Sequence, residues 1–186
     1  TLEDTIRIIS GYSDVIVLRH PDVGAAQRAA EISPVPIINA GDGIGEHPTQ
    51  ALLDVYTIWR EKGRLNNLNV VIMGDLLYGR TVHSLLYLLS SFEGNEITLV
   101  SPPSLRVPES YYELMRQHNV SFREMENLPH DLSKVDVLYV TRVQKERFSS
   151  MDEYEHVRNC CTVDANTLKV LSENSIIMPN LPRVNE

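Results

Sequence analysis

Short, almost wholly apolar runs recur along this chain, each separated from the next by helical periodicity. The clearest are at residues 69–73, 96–100, 120–123, 136–140 and 175–178. A strand that is apolar at nearly every position, rather than at every second one, must be covered on both faces, which a parallel sheet flanked by helices provides. Helical patterns at 81–92, 110–118, 128–133, 151–157 and 165–171 supply the covering layers. The second half of the chain therefore predicts a complete doubly wound domain. The first half carries an amphipathic helix at 1–12, with Leu2, Ile6 and Ile9 on one face and Thr1 and Asp4 spaced as a cap. A strand at 14–18, an Ala-rich helix at 23–32 and a strand at 35–38 follow. Two strands are too few for a sheet with two covered faces, so this half is expected to need residues that precede Thr1. From Pro48 the spacing of Leu52, Val55, Tyr56 and Trp59 marks a longer helix, stopped by Gly63. The fold class expected is α/β: two doubly wound parallel-sheet domains, the first incomplete, joined by a helix. The boundaries are 1–47, 48–62 and 63–186. Thr1 in place of Met, and Glu186 just beyond a Pro-Arg turn, fit a piece of a longer polypeptide.

Composition removes several functional classes. The net charge is −8, and the 17 Lys and Arg form no long run, so the footprint that grips a phosphate backbone is absent and no nucleic-acid partner is expected. No apolar run approaches the ~20 residues of a membrane span, so no membrane association and a cytoplasmic location are expected. Cys160 and Cys161 are neighbours, a spacing suited to reduced thiols rather than to a disulfide or a zinc site. His20, His47, His83, His118, His130 and His156 share no ligand spacing with acidic or Cys partners, so neither a metal nor another cofactor is expected.

Chemistry-bearing residues cluster where strands end, the place where open α/β sheets bind ligands. In Glu46-His47-Pro48-Thr49-Gln50, Pro48 suits a first helical turn, so His47 falls at the cap and Gln50 lies one turn on. That pair could polarise a carbonyl oxygen and hold an amino group, or His47 could be a plain cap beside a solvated Gln50. Arg19, after the strand ending at Leu18, could grip a phosphate or pair with an internal carboxylate. Arg80 follows a strand that breaks at Gly74, yet G-x-G-x-x-G spacing is absent, which disfavours a dinucleotide and suits a carboxylate. Arg142, at the end of the 136–140 strand, is its natural partner, with Gln144 two residues on. Lys145, Glu146 and Arg147 could simply pair with one another in solvent. No Ser-His-Asp order can be defended, so catalysis would rest on positioning and charge stabilisation.

Taken in order, His47-Pro48-Thr49-Gln50, Gly74-Asp75-Leu76, the run from Gly79 to Leu85, Thr141-Arg142-Val143-Gln144-Lys145-Glu146-Arg147 and Leu181-Pro182-Arg183 resemble the aspartate carbamoyltransferase family along the whole chain. Arg19-His20-Pro21 and Asn39-Ala40-Gly41-Asp42-Gly43 fit it too. The resemblance implies carbamoyl transfer from carbamoyl phosphate to L-aspartate, an early step of pyrimidine synthesis, by a homotrimer with sites between subunits. It makes 1–47 the C-terminal part of a carbamoyl phosphate-binding domain and 63–186 an aspartate-binding domain. Arg19, His47 and Gln50 would hold carbamoyl phosphate, with Arg19 and His47 as the catalytic pair polarising its carbonyl. Leu181 and Pro182 would offer backbone carbonyls to its amino group. Arg80, Arg142 and Gln144 would hold the aspartate carboxylates. Regulatory subunits or fused pyrimidine-pathway domains are compatible with this picture.

The departures are specific. The family's Ser-Thr-Arg-Thr phosphate loop and its lysine loop would precede Thr1, and its C-terminal helix would follow Glu186, so the chain alone is expected to be nearly inactive. Leu77 replaces a lysine, and Pro179-Asn180 replaces a His-Pro pair. Two alternatives remain: ornithine carbamoyltransferase, disfavoured by Arg142 and by Asn180 before Leu181, and a non-catalytic carbamoyltransferase-like module retained for oligomerisation.

Overall fold

The structure, a computed structural model, describes residues 1–143, 150–157 and 162–179. Helix α1 (Leu2–Ile9), strand β1 (Ile16–His20), α2 (Ala25–Ile32) and β2 (Ile37–Asp42) come first, followed by the long helix α3 (Pro48–Lys62). Then come β3 (Asn69–Met73), α4 (Arg80–Leu89), β4 (Glu96–Val100), a 3-10 turn (Pro103–Leu105), α5 (Glu109–Gln117) and β5 (Ser121–Met125). The chain continues through β6 (Val137–Val140), α6 (Met151–Val157), α7 (Ala165–Val170) and β7 (Ile176–Pro179). Among the described residues the strands form two sheets, both parallel: a pair β1-β2, and five strands in the order β5-β4-β3-β6-β7.

The larger sheet follows from its strand sequences. Val70 and Ile72 of β3 point to one face, where they pack with Leu85, Leu86 and Leu89 of α4 and Ile58 of α3. Val71 and Met73 point to the other, against Val100, Leu132 and Leu138. Each such side chain contributes about 1.5–3 kcal/mol on burial. The chain runs β3 to β4 to β5 toward one edge and then returns to place β6 on the other side of β3. That reversal is a topological switch point, and the crevice beyond the carboxyl ends of β3 and β6 is where such sheets receive ligands. Gly74 makes the crevice by turning the chain at φ 122°; a Cβ there would lie 2.1 Å from the Thr141 carbonyl oxygen.

A smaller cluster of Ile6, Ile16 and Ala29 holds α1 and α2 against the β1-β2 pair. Helix α3 bridges the two sheets, touching β2 while inserting Val55 and Ile58 into the larger core.

One expected element is missing. Residues 128–133 form no helix: Pro129 disfavours helical geometry at Leu128, Asp131 Oδ1 accepts the Ser133 amide at 2.9 Å, and Leu132 makes a parallel bridge to Leu171. A buried Leu in that segment serves an extended connection instead.

Candidate functional site

The loop after β2 is built to hold a fixed shape. Asp42 is buried, its Oδ2 accepting the Gly24 amide and its Oδ1 the Glu46 amide, each at 2.8 Å. The register between β1 and β2 shifts after Leu18, with β2 carrying the extra residue, and Gly41 sits in that bulge at φ 113°. An added Cβ at Gly41 would stand 2.9 Å from Cζ of Arg80, so the missing side chain is what admits the guanidinium. Arg80 Nη1 donates to Gly43 O at 3.0 Å. A residue that opens α4 beside the large sheet thus reaches across to the loop leaving the small one.

His47 is the N-cap of α3, Pro48 takes the first helical position, and the imidazole makes no capping hydrogen bond. Its amide donates to Ser84 Oγ at 2.8 Å, and Ser84 in turn donates to Glu46, which also accepts from Tyr111 OH at 3.0 Å. The ring has Nδ1 3.2 Å from Thr49 Oγ1. In the tautomer where Thr49 donates to Nδ1, Nε2 carries the proton and can donate to a carbonyl oxygen. Partial burial, then the Arg80 guanidinium, then that of Arg19 hold the His47 imidazole below its usual pKa. It is therefore a neutral donor at physiological pH.

Arg19 differs from its sequence expectation in one respect. It lies within β1, not beyond it, and its side chain is exposed, so burial is not what would make it seek an anion. It forms no ion pair among the described residues. Arg19, His20, Pro21, Gly43 and Arg80 line a cavity of about 370 Å³.

Gln50 Nε2 donates to Asp54 Oδ1 at 2.9 Å, one turn further along α3. The carboxylate acceptor fixes the amide orientation, leaving Oε1 as an acceptor with no bond to a described residue. Arg142 stands half-buried two residues beyond β6, at the switch point, and the adjoining Thr141 is buried against Met73 O and Asp75 O. Gln144, Leu181 and Pro182, like Lys145, Glu146, Arg147, Cys160 and Cys161, lie outside the described residues. No group of His, Cys, Asp and Glu among the described residues could hold a metal, and no helix among them is long and apolar enough to cross a membrane.

Sequence reasoning missed Asp54 and Tyr139. Asp54 is buried, and its Oδ2 accepts the Tyr139 hydroxyl at 2.7 Å. A carboxylate among the inward positions Ala51, Val55 and Ile58 of α3 was the available signal.

Two family models match the chain: the aspartate/ornithine carbamoyltransferase carbamoyl-P binding domain over residues 1–60, and the Asp/Orn binding domain over residues 66–186. The aspartate carbamoyltransferase catalytic subunit of Methanocaldococcus jannaschii is 53% identical over 186 residues, covering 100% of this chain and 60% of the relative. A crystal form of that subunit superposes with a TM-score of 0.88. Aspartate transcarbamoylase from Trypanosoma cruzi in complex with N-(phosphonacetyl)-L-aspartic acid superposes at 0.90, with 41% identity over 100% of this chain and 60% of that one. The multifunctional protein pyr1-3 of Dictyostelium discoideum is 46% identical over 186 residues, which are 8% of its length. The chain thus spans about 60% of the catalytic subunits it matches.

Proposed function

The chain belongs to the aspartate/ornithine carbamoyltransferase family, and we propose that it carries most of a site transferring the carbamoyl group of carbamoyl phosphate to the amino group of L-aspartate. The observation that carries this reading is the approach of Arg19 and Arg80, which together line one cavity, to a neutral His47 whose imidazole feels both guanidiniums. An acyl-phosphate electrophile needs a cation for its phosphate and a donor for its carbonyl oxygen. A dicarboxylate nucleophile needs cations of its own.

In the proposed reaction Arg19 meets the phosphate and, with Nε2–H of His47, the carbonyl oxygen. Gln50 Oε1 accepts from the carbamoyl amino group, with the backbone carbonyls of Leu181 and Pro182 assigned to the same group. Arg80, Arg142 and Gln144 hold the two aspartate carboxylates. The aspartate amine attacks the carbonyl carbon, and negative charge gathers on the oxygen facing His47 and Arg19. The C–O bond to phosphate then breaks, and one amine proton leaves with the phosphate. Donors already in place around the developing oxyanion are worth about 10²–10³ in rate each. A protonated His47 would be disfavoured by repulsion from the Arg80 and Arg19 guanidiniums.

Aspartate is preferred over ornithine because Arg80 and Arg142 both present positive charge at the switch point, which repels a cationic side chain. Consistent with this, the Methanocaldococcus and Trypanosoma relatives described above are named for aspartate. Residues 1–47 fall to the carbamoyl phosphate side, 63–186 to the aspartate side, and 48–62 link them. A homotrimer acting in the cytoplasm in pyrimidine biosynthesis completes the proposal, with regulatory subunits or fused pathway enzymes as partners. The fused Dictyostelium relative supports the last point. The test is transfer of labelled carbamoyl phosphate by the full-length enzyme to L-aspartate and to L-ornithine. Carbamoyl aspartate is expected as the product; transfer to ornithine, or to neither, overturns the reading.

A further inference from the structure

Asp54 has no part in the chemistry above, yet it is 5% exposed and joins two elements that reach the site from opposite sides. One oxygen accepts from Gln50 on α3 and the other from Tyr139 on β6, itself 1% exposed. Three residues beyond Tyr139 the same strand delivers Arg142. A buried carboxylate is costly unless both oxygens are satisfied, so this arrangement is stable only when Gln50 turns its amino end inward. If the carboxamide flipped, its oxygen would face a carboxylate oxygen, and two acceptors would repel.

Resting on the reading that Gln50 meets the carbamoyl amino group, we propose that Asp54, braced by Tyr139, is a positioning residue that selects for that amino group by locking Gln50 with Oε1 toward the substrate. The lock makes the site a reader of an N–H donor on the acyl carbon. An acyl phosphate with a methyl group there, such as acetyl phosphate, has nothing to give Oε1. A carboxamide free to rotate would present its own N–H end part of the time and lose that discrimination. The selection would act on electrophile binding, before the amine arrives, and would leave the phosphate and carbonyl contacts of Arg19 and His47 untouched.

The experiment compares Asp54→Leu and Tyr139→Phe with the unmodified full-length enzyme, reading KM for carbamoyl phosphate and the inhibition constant of acetyl phosphate. Leu keeps the shape and removes both acceptors. Loss of one substrate hydrogen bond should raise KM for carbamoyl phosphate about tenfold in Asp54→Leu, and less in Tyr139→Phe. The acetyl phosphate constant should stay within about twofold, because a hydrogen bond it never makes cannot be lost. Equal weakening of both ligands means a merely structural role and overturns the inference, as does an unchanged KM in a folded variant. If Asp54→Leu does not fold, Tyr139→Phe decides by the same comparison. Failure of the unmodified enzyme to carbamoylate aspartate overturns the parent function and this inference together. Activity in the unmodified enzyme with no selective effect overturns this inference alone.

Discussion

His47 works through what surrounds it. Burial and the two neighbouring guanidiniums favour its neutral form, and a neutral imidazole still has one N–H to donate. His47→Ala should therefore lower kcat by about 10²–10³ with little change in KM, the pattern of a contact made in the transition state. Because its pKa is depressed, His47 contributes no loss of activity until the pH falls below about 6.5, the ordinary value for histidine. A kcat profile against pH, compared between the unmodified enzyme and His47→Ala, checks this; a loss that His47 causes at higher pH contradicts it. Gly41 makes a second prediction. Gly41→Ala pushes a Cβ against the Arg80 guanidinium and should raise KM for aspartate about tenfold, the effect of one displaced charge contact, while leaving carbamoyl phosphate binding nearly intact. Steady-state titration of each substrate separates the two. At this scale the sequence was informative about placement: Arg80 and Arg142 do follow the strands they were expected to follow. It was silent on the pairing of Asp54 with Tyr139, because 85 positions separate them and only the folded chain brings them together.

Among elements, the opposite end of the large sheet is pinned by one carboxylate. Asp136, just before β6, accepts both 2.9 Å contacts from Arg64, lies 3.1 Å from Lys62 at the end of α3, and takes the Asn69 amide of β3 at 3.0 Å. Lys62 is itself largely buried and also donates to Asn174 O. Removing the charge leaves that ammonium unpaired, so Asp136→Asn should cost about 3 kcal/mol, read as a shift in the urea midpoint. Burial opposes ionisation here, but the Asn69 amide, Lys62 and Arg64 outweigh it and hold the Asp136 pKa below its usual value. A depressed carboxylate stabilises the fold above its unfolded pKa of about 3.9 and loses that contribution as the pH falls further. Acid unfolding of Asp136→Asn should lack that share of the slope. The strand positions were legible to within a few residues because covered parallel strands are apolar at nearly every position. The supposed helix at 128–133 was not, since Leu132 is buried in a way that periodicity cannot distinguish from a helix face; Pro129 was the signal against it.

The whole molecule presents its site across two sheets and leaves Leu52, Leu53, Tyr56 and Trp59 of α3 exposed. An apolar helix face of that kind drives association, so the 186-residue chain expressed alone should sediment as a mixture of oligomers. It should also show little or no carbamoyl transfer; measurable turnover by it would sink that expectation. The order of motifs was enough to indicate the family, whereas the meeting of Arg80 with the Gly41–Gly43 loop could be seen only once both sheets were assembled. The central claim is that one ligand pocket joins the two. Calorimetric titration of the full-length enzyme with a mimic carrying a phosphonate and two carboxylates tests it most directly. One molecule should bind per chain, and Arg19→Ala and Arg80→Ala should each weaken binding about 100-fold, as expected for a lost charge-to-charge contact. Unchanged affinity in either variant, or no binding by the unmodified enzyme, would contradict it.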